Sequence, residues 1–379
     1  MAVDLIPTIL YSGMMGVVVS ALFRALTKPK LKQNAYFSAL LVLLLIHILG
    51  ELYIYSGIYQ YAPSIAGFQL PLRMLLGPAL FFYACEAMPV HKQIAKKHFI
   101  IALSGPVVIM LVMIPFIFSI SPEQKLALAN PQTRDPELWR IAVTTCLISA
   151  SAFVLFTLTY LTAALKLHSK HKLVLMNKYS ALEKRAMDWF RIILVLWGMV
   201  WILYTVNYVF TFIGIKQFSI GQLLPLFELF VLAAFTHFAL EQLDYNESEQ
   251  ETIEISQQRE AVISKDKMLE ISKKLTFAMT NEYMYRDEDL SLNGLSKSID
   301  VSENYISETL SQFMQTNFFL FVNGYRIEEA KSLLLSSEML VSSIAYEVGF
   351  KSKSTFNSSF KKLVGETPTA FRKSNLAKI

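Results

Sequence analysis

The chain has 379 residues, of which 54% are hydrophobic and 17% are charged. Soluble domains hold about 25% charged residues, so this chain is not one soluble globular protein. Residues 1–243 contain 19 Lys and Arg against 10 Asp and Glu, whereas residues 244–379 contain 16 against 20. Two cysteines are too few for a disulfide scaffold. The sequence therefore predicts two parts in different surroundings.

The first 243 residues contain seven apolar stretches, each about the 20 residues that a transmembrane helix needs. A seven-helix transmembrane bundle that senses a signal is predicted here. An acidic linker at 244–264, helical or partly disordered, follows it. The predicted spans lie near 5–26, 35–56, 68–88, 99–120, 139–165, 187–213 and 219–242.

Lys and Arg residues in the connections predict the orientation of this bundle. Connections one, three and five carry 13 of them, against four in connections two, four and six. Because cytoplasmic loops are enriched in these residues, the N-terminus is predicted outside and the C-terminal part in the cytoplasm. The expected location is therefore a membrane.

Ionisable side chains within a span are costly unless paired or hydrated, so they mark candidate sites. An ion pair between Glu51 and Arg73 is geometrically possible. Two interpretations are open: the residues lie in water at the membrane interface, or they form a ligand pocket. The candidate pocket residues are Glu51, Arg73, Asn207 and Glu228, with Tyr204 and Tyr208 nearby.

Catalytic and metal-binding patterns are absent from the predicted spans. They contain no pairing of a nucleophile with a base and no phosphate-binding glycine loop. His168 and His171 lie in a basic segment without a cluster of Cys or carboxylates, so they are predicted to be solvated. The sequence predicts no enzyme, no cofactor and no metal site.

Residues 265–379 are predicted to form an all-α domain with two helix-turn-helix elements, the second at 342–364. Gly349 supplies its turn and Ser352 caps its second helix. Phe356, Phe360 and Leu363 recur at helical spacing, so they are predicted to face the core. The residues predicted to face DNA are Lys353, Ser354, Asn357, Ser358, Lys361 and Lys362.

The first helix-turn-helix is predicted at 291–313, and a linker helix at 318–334 joins the two elements. Thr367 and Pro368 begin a last helix, on which Arg372 and Lys373 are candidate phosphate contacts. The outward residues of the first element, also predicted to face DNA, are Asn304, Tyr305, Ser307, Glu308 and Ser311.

At these residues the chain resembles the AraC/XylS family of bacterial transcription regulators, over about 110 positions. The matching segments are NFFLFVNGYRIEEAKSLL at 317–334, IAYEVGFKSKSTF at 344–356, FKK at 360–362 and GETPTAFRK at 365–373. The resemblance implies two helix-turn-helix elements that insert recognition helices into successive major grooves. Ser358 and Glu308 stand where the family often has basic residues, which puts guanine recognition there in doubt.

Charge is distributed unequally between the two elements. Residues 261–350 have eight basic and 13 acidic residues, whereas residues 351–379 have seven basic residues and one acidic residue. Phosphate affinity is therefore expected in the second element. A homodimer on DNA is predicted to supply the affinity that one copy lacks.

The sequence thus predicts a membrane-bound one-component transcription regulator that binds double-stranded promoter DNA. The resemblance to a bacterial family implies the inner membrane of a bacterium as its location. Its other expected partners are the lipid bilayer, a signal ligand or membrane partner, and RNA polymerase. Two alternatives stay open: a receptor whose cytoplasmic domain acts by protein–protein contact, and a transporter with an appended regulatory domain.

Overall fold

The computed structural model describes residues 3–28, 32–88, 95–130, 132–183, 185–212, 220–250 and 263–376. These residues form helices, and within them the only β-type pairing is one isolated antiparallel bridge. The predicted all-α fold is confirmed. The chain divides into an N-terminal unit, Met1–Ser169 with Met187–Thr252, and a C-terminal unit, Lys170–Ala186 with Ile253–Ile379.

Nine α-helices run from residue 5 to residue 250 in the described ranges, and six of them are long and apolar enough to cross a membrane. The six are α1, α2, α5, α7, α8 and α9. The bounds are α1 Leu5–Leu26, α2 Lys32–Tyr55, α3 Gln69–Arg73, α4 Leu76–Ala87, α5 Lys96–Phe118, α6 Pro122–Leu128, α7 Pro136–Met176, α8 Asp188–Phe212 and α9 Ile220–Gln250.

The third predicted span, 68–88, is not one continuous helix. It forms α3 and α4, which are separated at Met74 and Leu75. Pro78 has no N–H to donate to the Met74 carbonyl, four residues earlier. In the same turn, the amides of Met74 and Leu75 donate to carbonyls three residues back rather than four, to Pro71 at 3.2 Å and Leu72 at 3.1 Å. The prediction of a single helix here was wrong because proline interrupts its hydrogen bonds.

The N-terminal unit buries one apolar face of its helices and exposes the other. Phe37, Tyr83 and Phe235 are fully buried and pack ring against ring. Outside the core, Phe23 and Ile100 are 70% and 71% exposed. Exposed apolar faces of this kind are unfavourable in water and favourable in lipid.

The connection between α7 and α8 departs from its prediction as a solvated loop. Helix α7 continues to Met176. His168 is buried with Nε2 3.4 Å from Asp188 Oδ1, and His171 Nε2 lies 3.1 Å from the Arg185 carbonyl. The prediction that both histidines are solvated was wrong, since both are buried and each lies near a polar atom of the segment that leads into α8.

The C-terminal unit contains two small apolar cores joined by one helix. Phe318, Phe321 and Val322 of that helix enter the first core. Ile327 and Leu334 enter the second. The helices are α10 Lys265–Thr280, α11 Leu292–Ile299, α12 Glu303–Glu308, α13 Phe318–Ser336, α14 Val341–Glu347, α15 Lys353–Val364 and α16 Pro368–Leu376.

Candidate functional site

The second helix-turn-helix consists of α14, a turn and α15. Gly349 lies in the turn with φ +94°, and Phe350 packs beneath it, 2% exposed. Ser352 caps α15, because its Oγ accepts the Thr355 amide at 3.2 Å. Gly365, also at φ +94°, ends the helix. The turn and both ends of α15 therefore follow from local sequence.

Helix α15 presents a polar face and buries an aromatic one. Phe356 and Phe360 are fully buried as predicted, but Leu363 is 44% exposed. Val364 packs on the core in its place, beside Phe371 of α16, because the buried stripe advances by four residues at each step. Lys353, Ser354, Ser358, Lys361 and Lys362 are exposed on α15, and Asn357 is half-buried.

The first helix-turn-helix has a shorter and less exposed second helix. Asp300 makes its turn at φ +51°, and Ser302 Oγ accepts the Tyr305 amide at 3.4 Å. After Glu308 the backbone passes into one π-helical turn, 309–313. Lys267 of α10 stacks on the Tyr305 ring at 4.9 Å. Of the predicted contact residues, Ser311 is exposed, while Asn304, Tyr305, Ser307 and Glu308 are half-buried.

The two candidate phosphate contacts on α16 differ in their surroundings. Arg372 Nε donates to the Leu334 carbonyl at 3.0 Å, at the C-terminal end of α13. This is a favourable place for a cation, since the last carbonyls of a helix carry partial negative charge. Lys373 is exposed. Arg372 thus has a structural contact, whereas Lys373 is accessible to a ligand.

Arg326 of α13 is a buried residue that sequence reasoning missed. It is 1% exposed, and its guanidinium donates to the carbonyls of Tyr285 at 2.6 Å and Asp287 at 2.7 Å. It also bonds Asn323 Oδ1 at 3.2 Å and lies 5.4 Å from the centre of the Phe350 ring. Burial lowers the pKa of Arg326 to about 10, so the group keeps its charge at neutral pH. An arginine within the apolar run FFLFVNGYRI was the signal available.

A second cluster of polar side chains lies within the N-terminal unit. Arg73 NH1 is 3.4 Å from Glu51 Oε1, so these two side chains form an ion pair. Glu228 is 4% exposed, and His47, missed by sequence reasoning, lies between the two carboxylates. His47 Nε2 is 3.4 Å from Glu228 Oε1, and its Nδ1 is 3.8 Å from Glu51 Oε1.

Two tyrosine hydroxyls complete the polar cluster of the N-terminal unit. The hydroxyls of Tyr11 and Tyr204 lie 3.2 Å and 3.1 Å from Glu228 Oε2. Asn207, also on α8, is half-buried, and the side chain of Tyr208 lies outside the described residues. The cluster draws on helices α1, α2, α3, α8 and α9.

Comparison with known proteins identifies the C-terminal part. Residues 295–374 match the model of a helix-turn-helix domain family. An HTH-type transcriptional regulator of Staphylococcus aureus is 35% identical over 85 residues, 22% of this chain and 11% of the relative. The regulator YtdP of Bacillus subtilis is 34% identical over 86 residues, 23% of this chain and 11% of the relative. The chain therefore spans about a tenth of the length of these relatives.

Two solved structures to which this chain is similar are C-terminal domains of response regulators. The C-terminal domain of AraT, a response regulator from Geobacillus stearothermophilus, is 27% identical with a TM-score of 0.26, covering 27% of this chain and 84% of that one. The C-terminal domain of the response regulator yesN from Fusobacterium nucleatum is 30% identical with a TM-score of 0.25, covering 27% and 98%. With the family match at residues 295–374, the two helix-turn-helix elements and the linker helix identify the C-terminal part of this chain as a helix-turn-helix domain of the AraC type.

Proposed function

We propose that this protein is a membrane-bound one-component transcription regulator. In this proposal the AraC-type domain binds specific double-stranded promoter DNA, and the N-terminal unit lies in the bacterial cytoplasmic membrane, where it senses a signal. The observation that carries the proposal is the exposed cationic face of α15 in a chain that also has six helices of spanning length and composition among its described residues.

The proposed DNA contacts follow from the exposed face of α15. The major groove admits an α-helix, and lysine side chains at the groove edge neutralise phosphates. Lys353, Lys361 and Lys362 supply this charge, and the Asn357 amide is suited to adenine. The recognition helix of the first element is shorter and largely half-buried, which supports a secondary role and a homodimer on DNA.

The proposed membrane location rests on the apolar faces of the N-terminal unit, with the lipid bilayer as their partner. Helices α3 and α4 together run from Gln69 to Ala87, about 28 Å at 1.5 Å per residue. If α3 and α4 count as one kinked crossing, they and the six long apolar helices make seven crossings. An odd number of crossings, together with the Lys and Arg bias of the connections, supports the proposed arrangement, with the N-terminus outside and the DNA-binding domain in the cytoplasm.

The polar cluster around Glu228 is the proposed site of signal sensing. Arg73 Nε is buried and has no hydrogen-bond partner among the described residues, so it is a donor available to a polar ligand. Glu228→Gln is expected to change the signal response of the target promoter several-fold, because it removes the charge beside His47. A reporter fused to that promoter measures the effect. An unchanged response in Glu51→Gln, Arg73→Gln and Glu228→Gln variants would rule out sensing at this cluster.

Chromosomal crosslinking and sequencing with the tagged full-length protein tests the function itself. Discrete peaks are expected for the wild type, and Lys353→Glu/Lys361→Glu should remove them. A Lys273→Glu/Lys274→Glu variant is the matched control, because it makes the same charge change at exposed positions of α10. The proposal would be contradicted by peaks that survive in the α15 variant. It would also be contradicted if cells that contain the wild-type protein gave no peaks.

Salt dependence of binding gives a quantitative check on the role of α15. Each phosphate contact contributes about 0.9 to the slope of log affinity against log salt. Lys353→Ala/Lys361→Ala is therefore expected to lower that slope by about 2. Titration of the recovered promoter duplex against the protein in nanodiscs measures it, with Lys273→Ala/Lys274→Ala expected to keep the wild-type slope. Equal slopes in both variants would place the phosphate contacts elsewhere.

A further inference from the structure

Residues 178–182, which follow α7, pack against the rest of the C-terminal unit, and Ser180, Ala181 and Leu182 are buried. Tyr179 and Ser291 form an antiparallel bridge. The Lys178 carbonyl accepts the Leu292 amide at 2.8 Å, and the Ser180 amide donates to the Leu290 carbonyl at 3.4 Å. The segment therefore pairs with the backbone at the start of the first helix-turn-helix, 110 residues later in the chain.

Ser180 is the centre of this contact and is 1% exposed. Its Oγ donates to the Leu290 carbonyl at 2.7 Å and lies 3.3 Å from Arg326 NH2, which donates to it. Its carbonyl accepts Asn323 Nδ2 at 3.1 Å. Asn323 and Arg326 are themselves buried. Because unpaired buried polar groups are unfavourable, removal of Ser180 would leave the interior of the DNA-binding domain incompletely bonded.

Apolar side chains extend the same contact. Leu175, Leu182 and Ala186 are buried in one cluster, against which Phe319 of α13 packs. Phe319, Asn323 and Arg326 are spaced by four and three residues, so they lie on one side of the linker helix. This side of α13 is thus covered by the connection between α7 and α8.

Arg326 relates this contact to the two helix-turn-helix elements. It bonds the carbonyls of Tyr285 and Asp287 ahead of the first element and stacks near Phe350 in the second. Ser180 therefore touches the residue through which the linker helix contacts both halves. None of these hydrogen bonds involves a predicted DNA-contact residue, and Lys353, Lys361 and Lys362 of α15 are exposed with the segment docked.

We propose that residues 178–182 are a docking segment for the surface formed by Leu290–Leu292, Phe319, Asn323 and Arg326. Docking holds the two recognition helices in the arrangement that binds DNA. Undocking frees the linker helix and lowers affinity. Because the segment directly follows α7 and precedes α8, a change in those helices reaches the DNA-binding domain through it. The inference rests on the proposed function and names how that function is regulated.

Cysteine crosslinking in native membranes tests the docking contact. Tyr179 and Ser291 face each other as a pair without direct hydrogen bonds, whose Cα atoms are typically about 4.5 Å apart, within disulfide range. Tyr179→Cys/Ser291→Cys, in a chain with Cys85 and Cys146 replaced by serine, is expected to crosslink under mild oxidation. No crosslink at this pair would overturn the proposal.

Promoter affinity tests the regulatory role, with the full-length protein in nanodiscs and the recovered promoter duplex. Ser180→Leu is expected to bind about tenfold more weakly than the wild type, and Ser180→Ala several-fold more weakly. Ser169→Leu, at an exposed position of α7, is expected to bind as the wild type does. The oxidised crosslinked protein should keep wild-type affinity.

The outcomes distinguish this inference from the proposed function. Wild-type affinity in Ser180→Leu and Ser180→Ala would overturn the regulatory role, even where the wild type binds its promoter. Failure of the wild type to bind any duplex counts instead against the proposed function. If residues 265–376 of the weak-binding Ser180→Ala variant resist protease, its loss of promoter affinity comes from undocking rather than unfolding. Full protease sensitivity of these residues would count against the inference.

Discussion

Replacing Arg326 by leucine is expected to lower the free energy of unfolding of the C-terminal unit by about 3 kcal/mol. The carbonyls of Tyr285 and Asp287 and the Asn323 amide oxygen would lose their donor inside the protein. Each buried acceptor left without a donor costs about 1–3 kcal/mol of stability. Leucine offsets part of that loss because the protein no longer has to bury the charge of the guanidinium. The unit should therefore unfold at a midpoint roughly 12 °C lower.

Pulse proteolysis of the full-length protein during a thermal ramp measures the effect of Arg326→Leu. Arg286→Leu is the matched control, because Arg286 lies in the same unit, is exposed, and pairs with Glu329. Exposed ion pairs contribute at most about 1 kcal/mol, so that variant should shift the midpoint by only a few degrees. Equal shifts in the two variants would contradict a stabilising role for the buried guanidinium.

Replacing Gly349 by alanine is expected to destabilise the second helix-turn-helix by more than about 3 kcal/mol. A Cβ there would lie 2.6 Å from the Arg286 carbonyl oxygen and 2.7 Å from that of Tyr285. Both are backbone atoms, which cannot rotate away as a side chain does. The φ of +94° is also unfavourable for alanine. The turn must therefore open, and α15 must shift.

Gly365→Ala separates the two causes of the Gly349 effect. Gly365 has the same φ of +94°, but a Cβ there meets no atom within 4 Å. Only the backbone strain applies, about 1 to 2 kcal/mol. Pulse proteolysis and promoter binding are expected to show a small loss for Gly365→Ala and near-complete loss of binding for Gly349→Ala. Similar stability losses would mean that the close carbonyls do not restrict residue 349.

Local signals in the sequence were sufficient for the helix-turn-helix elements. Ser302 and Ser352 cap the recognition helices, and Gly349 and Gly365 take the left-handed conformation. Each depends on neighbours within about four residues, which a sequence displays directly. The burial of Phe356 and Phe360 followed from helical spacing for the same reason.

Features that depend on distant parts of the chain could not be predicted. Ser180 meets Leu290 and Arg326 only after the chain folds, and His47 meets Glu228 across 181 positions. The break between α3 and α4 had a local signal, Pro78, but the hydropathy pattern outweighed it. The exposure of Leu363 was missed because Val364 and Phe371 compete for the same apolar core.

The unequal charge of the two halves of the DNA-binding domain has a kinetic consequence. An acidic first half, residues 261–350, and a basic second half, residues 351–379, make the domain an electric dipole. The field of DNA exerts a torque on a dipole, so the domain turns its basic end forward before contact. Encounter is then controlled by α15 and by ionic strength, while the lifetime of the complex depends on how well the first half fits once the second is bound.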